Sequence, residues 1–341
     1  MKLLFYVSKL YSIPVVLPVL KEALSRGIPS AFFVSGKVAR NLPDQFSGVP
    51  VFMDLARASD WGPDYVLCPG NFVDFRLPGI KVELFHGIGI EKPSHYAIRH
   101  FFDIYLTSGP VVTSRFLELQ GKYGYFRVFE TGWPKMDHIM RYDASGVRRE
   151  LGVEPDSRVV LYAPTHSRSM ESAGMLLPVL AETPRPGEIW FCKPHEFMDQ
   201  QAVRRLESSG IRMATGYDIT PFLHMADVLV SDTSSVVYEF VALDKPVVTF
   251  RTMGRRDKGI DITAPGELRG AVDRCLRHPG EFSSMRREHM QMVNPRLDGT
   301  VSGKIIDLLE TRPGPAGRKP LNLFRKGQIV WHSIFRKGYL R

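Results

Sequence analysis

Cysteine is scarce: Cys68, Cys192 and Cys275 are the three in 341 residues, far apart and without a C-x-x-C pair or a spacing suited to zinc. That scarcity rules out a disulfide framework. Cys68 and Cys192 each close an apolar run and read as small buried hydrophobes in a reducing, cytoplasmic setting. No stretch approaches the ~20 apolar residues a membrane-spanning helix needs. The opening MKLLFYVSKLYSIPVVLPVL begins like a signal peptide, but Lys9, Tyr11, Ser12 and two prolines interrupt it and no small-residue cleavage site follows. It predicts a first strand and helix instead. Also missing are G-x-x-x-x-G-K-[ST], a strand followed by G-x-G-x-x-G, H-E-x-x-H and G-x-S-x-G. His86, His166 and His195 have no spacing that favours a metal.

The composition, 44% hydrophobic and 24% charged, is that of an ordinary globular protein, and the length favours two domains. Short apolar runs alternate with longer helical segments. LLFYVS, PSAFFVS, GVPVFM, YVLCPG, KVELFHG and IYLTSG read as strands, followed by RVFETG, VVLYAPT, EIWFCKPH, IRMATG, DVLVSD and KPVVTF. Runs without strict alternation suit strands buried on both faces, and the spacers are long enough for helical crossovers. The fold class is therefore α/β with parallel sheets, arranged as two Rossmann-like domains facing a cleft. The expected domains are 1–140, 141–311 and a basic amphipathic tail, 312–341, entered through the linker RPGPAGRKP.

The net charge is +9, and the tail holds a conspicuous part of it. Residues 312–341 contain Lys and Arg but no Asp or Glu, interleaved with Leu321, Leu323, Phe324, Ile329, Val330, Trp331, Ile334 and Phe335. Such a segment suits an anionic membrane surface, each cation near the headgroups giving ~1 kcal/mol. The alternative is a final helix packed on the body with a solvated basic face. Nucleic acid is not expected as a partner, because no nucleic-acid module accompanies the tail.

Chemistry concentrates at strand ends. In ADVLVSDTSSVVYEFVALDKPVV a buried strand ends in Ser231, Asp232, Thr233, Ser234 and Ser235 and a helix follows at once. Small hydroxyl residues and free backbone N–H groups at the carboxyl edge of a sheet make an anion site. The structural alternative is that Asp232 or Ser234 only caps that helix. His86 and Gly87 follow KVELF, placing an imidazole on a loop that permits close ligand approach, where it could act as a base or be a hydrogen-bonded structural histidine. Lys193 and His195 flank Pro194 after EIWFC, a cation and an imidazole suited to a phosphate or leaving group. Thr165 and His166 end VVLYA in the same way.

At these residues the chain resembles the CDP-glycerol glycerophosphotransferase family, which includes the teichoic-acid primases and polymerases. The resemblance runs in order over about residues 80–310: FHG at 85–87 with Lys92, FDIYLTSGP at 102–110, GWPKMD at 132–137, LYAPT at 161–165, KPH at 193–195, the 226–248 segment, and Asp298-Gly299 with Ser302 and Lys304. It implies a two-Rossmann GT-B fold, no redox cofactor, and transfer of a polyol phosphate from a CDP-linked donor to a hydroxyl of a membrane-bound acceptor, releasing CMP. It places the functional histidines at His86 and His195 and the phosphate-contacting loop at Thr233, Ser234 and Ser235, with Gly87, Thr165, Lys193 and Asp232 around them. It also implies a protein peripheral to the inner face of the cell membrane. The chain departs from the family pattern at Ile88–Lys92, at Thr233 and at His166. A nucleotide-sugar glycosyltransferase or epimerase on the same fold, or a non-catalytic binding homologue, is the alternative.

Overall fold

A computed structural model describes residues 1–165, 170, 172–196 and 198–335, which divide into two compact units. Residues 1–141 and 293–341 form the first unit and 142–292 the second.

The first unit is built on seven strands: β1 (Leu3–Val7), β2 (Ser30–Val34), β3 (Val51–Phe52), β4 (Tyr65–Cys68), β5 (Ile80–Glu83), β6 (Ile104–Thr107) and β7 (Arg127–Glu130). Their order is β3-β2-β1-β4-β5-β6-β7, with parallel pairing throughout. The second has β8 (Arg158–Tyr162), β9 (Glu188–Cys192), β10 (Arg212–Met213), β11 (Val228–Ser231), β12 (Val247–Phe250) and β13 (Ile260–Ile262). These follow the order β10-β9-β8-β11-β12-β13, again parallel. All twelve apolar runs named above are strands. β13 was not anticipated, because its three residues, IDI, carry an aspartate at the centre and make no apolar run.

Each sheet reverses its winding direction between its first strand and the strand after the first crossover series, β1/β4 in one and β8/β11 in the other. Crevices at such reversals, outside the carboxyl ends of the strands, are where open α/β sheets bind ligands. Both cores explain why the strands form: β1 and β2 are buried at every position, as are β4, β6, β11 and β12. Residues buried on both faces must be apolar throughout, which removes the alternation of a one-sided sheet. The opening segment supplies β1 and a helix, Ile13–Ser25.

The segment 293–311, expected in the second domain, packs in the first. Its helix, Val301–Glu310, starts on the buried carboxylate of Asp137, which accepts from Val301 N at 3.1 Å and Ser302 N at 2.6 Å. Helix starts leave such N–H groups without intrahelical partners, so a carboxylate there satisfies them and meets the positive end of the dipole. Arg26 closes the other end through Asp307 at 2.6 Å and Glu310 at 3.0 Å. Gly132 makes room for this packing: it has φ +93°, and a Cβ there would come within 2.7 Å of Val301 Cγ2. Periodicity could not reveal this return of the chain, since the contacts span more than 160 residues. Two motifs of the resemblance, GWPKMD and the Asp298–Lys304 segment, thus meet as a structural joint.

Candidate active site

In the second unit, the β8/β11 reversal carries the hydroxyl-rich loop. Leu229 lies opposite Leu161 and Val230 opposite Tyr162, so the two strands end level and their loops emerge side by side. Ser231 Oγ donates to the Ala163 carbonyl at 2.6 Å, fixing one loop to the other. Asp232 completes the tie. Its side chain is wholly buried, accepting from Thr165 N at 3.0 and 3.1 Å and from both the N and Oγ of Ser172 at 2.9 Å. A buried carboxylate with that many donors is a fixed strut. Asp232 therefore positions the edge where contact with a donor was expected of it, and Thr165 is held by it through its backbone.

Thr233 is also buried, and its Oγ1 accepts from Met253 N at 2.8 Å, which draws the loop after β12 alongside. Ser234 and Ser235 differ in being half-buried, with side chains accessible to a ligand. The helix they introduce, Val236–Val241, is only six residues long, so its dipole adds little and the accessible hydroxyls and backbone carry the anion-binding capacity. Lys193, after β9, points its ammonium to the carbonyls of Ala214 and Gly216, securing the end of β10. His195 is half-buried, and its carbonyl accepts from Met198 N at 2.9 Å. His166 lies outside the described residues. At the other side of this unit, Lys245 of the DKPVV run donates to the carbonyls of Leu223, His224 and Ala226, closing the helix Thr220–Met225.

In the first unit, His86 follows β5 and retains solvent access, while Gly87 beside it is buried. The protein packed around the ring, then Lys92 and Arg99, push the His86 imidazole down to about 4, opposed by a hydrogen bond with the Pro69 carbonyl. The ring is therefore neutral near pH 7. With one ring nitrogen engaged by Pro69, the other carries the lone pair a base requires.

The residue before it is unusual. Phe85 has φ +58°, a conformation costly for a bulky side chain. Several contacts hold it there. Trp133 Nε1 donates to the Phe85 carbonyl at 2.9 Å, and Trp133 N donates to Asn294 Oδ1 at 2.8 Å, both residues being buried. The Phe85 ring meets His95 at 4.8 Å, Phe116 at 5.2 Å and Tyr105 at 6.3 Å between centroids. His95 is pushed down to about 3, chiefly by burial, so it too is neutral. The sequence reading assigned no role to His95, Phe85 or Trp133. Trp133 sits inside the GWPKMD motif and could have been suspected from it; nothing in the sequence marks His95 as a neighbour of His86. Among the described residues, no group of three or more His, Cys, Asp or Glu is placed to hold a metal ion.

Two parallel-sheet units with polar strand ends define a GT-B-type α/β protein, and solved structures of that kind match. The wall teichoic acid polymerase TagF superposes with a TM-score of 0.65 at 14% identity, over 91% of this chain and 88% of that one. UDP-GlcNAc 2-epimerase from Neisseria meningitidis gives 0.63 at 14% identity, over 91% and 100%. At such identities the likeness is one of fold. Sequence comparison separates the two: residues 92–255 match the family described as CDP-Glycerol:Poly(glycerophosphate) glycerophosphotransferase. Teichoic acid glycerol-phosphate primases of Bacillus spizizenii and Bacillus subtilis are 24% and 25% identical, over 65% and 44% of this chain. The chain spans 55% and 38% of the length of these relatives. In motifs and in sequence the chain is thus similar to the CDP-glycerol glycerophosphotransferase family, and in fold to solved structures of the same type.

Proposed function

We propose that this protein transfers a polyol phosphate, glycerol phosphate in the first instance, from a CDP-linked donor to a hydroxyl of a membrane-bound, lipid-linked or polymeric acceptor, in cell-wall or surface-polysaccharide synthesis. The observation that carries this reading is the β8/β11 edge, where buried Asp232 and Thr233 brace a loop that leaves Ser234 and Ser235 accessible, within a chain that matches the glycerophosphotransferase family. The acceptor oxygen forms a bond to the phosphorus that bears the glycerol. The bond from that phosphorus to the bridging oxygen breaks, and CMP leaves with the electron pair. His86 takes the hydroxyl proton on its free ring nitrogen, a role its neutral form permits. His195 and the Ser234–Ser235 loop contact the donor diphosphate, with backbone N–H groups and hydroxyls facing the charge that develops on the departing phosphate. Residues 312–341 bring the protein to an anionic membrane on the cytoplasmic side, where the acceptor resides.

The test is a donor screen with CDP-glycerol, CDP-ribitol and UDP-sugars, identifying the released nucleotide. CMP from a CDP-polyol, with label appearing in the acceptor, is the expected result. Release of UDP or UMP would instead make the chain a nucleotide-sugar enzyme on the same fold.

A further inference from the structure

The segment after Glu310 departs from a simple amphipathic tail. Its linker is fastened to the first unit: Lys319 Nζ binds Asp103 Oδ2 at 2.7 Å and the Phe101 carbonyl at 2.8 Å, and Gly317 N donates to the Tyr125 carbonyl at 3.1 Å. The helix Leu323–Phe335 is fastened as well. Ile329 is fully buried in the core of the first unit, and Lys326 Nζ lies 5.0 Å from the centre of the Phe75 ring. One face of this helix is therefore spoken for.

Another face is largely exposed. Phe324 is 71% exposed and Trp331, seven residues on, 49%; Gly327 and Gln328 lie between them on the same helical stripe. Leu321 and Leu323 continue the patch at 72% and 73% exposure. Four large apolar side chains in water at one place are costly unless something covers them. The surroundings indicate what does. Arg318 is exposed, the Arg325 guanidinium lies over the Phe324 ring at 5.8 Å, and no acidic residue occurs between Arg312 and Arg341. A cation held beside an apolar ridge matches a lipid interface, with phosphate outside and hydrocarbon within. A second protein copy fits less well, since four side chains offer less than the about 800 Å² per partner of a stable interface.

We infer that Leu321, Leu323, Phe324 and Trp331 are the inserting ridge of a membrane-docking helix that the first unit holds in place through Ile329 and Lys319. This deepens the membrane element of the proposed function and is independent of the transfer reaction. Because the helix is anchored, docking fixes the first unit to the bilayer and leaves no loose tether.

The test uses the full chain with vesicles of phosphatidylglycerol and phosphatidylcholine, or phosphatidylcholine alone, at moderate salt. The wild type is expected to co-sediment with the anionic vesicles, with a blue shift in emission that is absent from Trp331→Phe. The triple variant Leu323→Ser/Phe324→Ser/Trp331→Ser should lose at least ten-fold in bound fraction, with its circular dichroism and its CMP release towards a soluble acceptor unchanged. Binding of the triple variant equal to the wild type would overturn the inference. So would a wild-type dimer that the triple variant abolishes, because a second copy would then be the covering partner. If no CDP-polyol is turned over, the transfer reading fails while the vesicle result stands on its own.

Discussion

The two units carry similar sheets but place chemistry at their strand ends by different physical means. In the second unit, the edge between β8 and β11 is held by polar ties, Ser231 to Ala163, Asp232 to Thr165 and Ser172, and Thr233 to Met253. In the first unit, His86 is aimed by a strained Phe85 enclosed in aromatic rings and clamped at its carbonyl by Trp133. An anion site needs several donors facing one way, which a braced loop supplies. A base needs one lone pair held in one direction, which a clamped backbone beside a single imidazole supplies. The comparison teaches that most polar and aromatic residues at these two strand ends hold the few side chains left accessible.

The largest expected effect comes from the groups proposed to face the substrate. His86→Ala should lower the turnover of CDP-glycerol by roughly 10²–10⁴-fold, the usual range for a general base, while donor affinity measured by calorimetry changes little. His195→Ala should weaken donor affinity more than His86→Ala does. The reverse pattern would exchange their roles.

Asp232→Ala should behave as a structural lesion, because it takes the acceptor from the buried backbone N–H groups of Thr165 and Ser172. A loss on the order of 3 kcal/mol in chemical denaturation is expected, with donor affinity falling alongside. Ser234→Ala/Ser235→Ala should leave the denaturation midpoint within error and raise the KM for donor several-fold. If both sets behaved alike, the division between brace and contact would be wrong.

Trp133→Phe tests the corresponding device in the first unit, since it keeps the ring and removes only the N–H that reaches Phe85. Losing one such hydrogen bond, about 1 kcal/mol, should lower kcat by roughly five-fold with donor KM unchanged. Equal losses in kcat and in stability, with no change in the pH profile, would reduce Trp133 to a packing residue.

The smallest expected effect is a shift along the pH axis. With His86 as the proposed base, its neutral form is the one that acts, so activity falls as pH drops through its pKa. With that pKa pushed down to about 4, the acid limb of kcat/KM should lie well below the 6.5 of an unperturbed histidine. Lys92→Ala removes a cation that lowers it, so the limb should move to higher pH. A limb already at 6.5 in the wild type would show that His86 is not the titrating base.

Much of this was legible in the residues themselves. Strands buried on both faces must be apolar throughout, so all but β13 could be read from composition. The polar residues that end them, from His86 to the 231–235 loop, stood out because they break those runs. Sequence could not separate brace from contact. Asp232, Thr233 and Lys193 sit in the polar strand ends that suggest a ligand site, and their hydrogen-bond partners lie on other strands or loops, between 20 and 67 residues away. The same limit hid the return of residues 293–311 to the first unit, the aromatic enclosure beside His86, and the division of the 323–335 helix into an anchored and an exposed face. Local pattern fixes which residues are apolar and where strands end, because those depend on each residue's own solvation. Which polar group is already satisfied depends on neighbours that only the folded chain brings within hydrogen-bond reach.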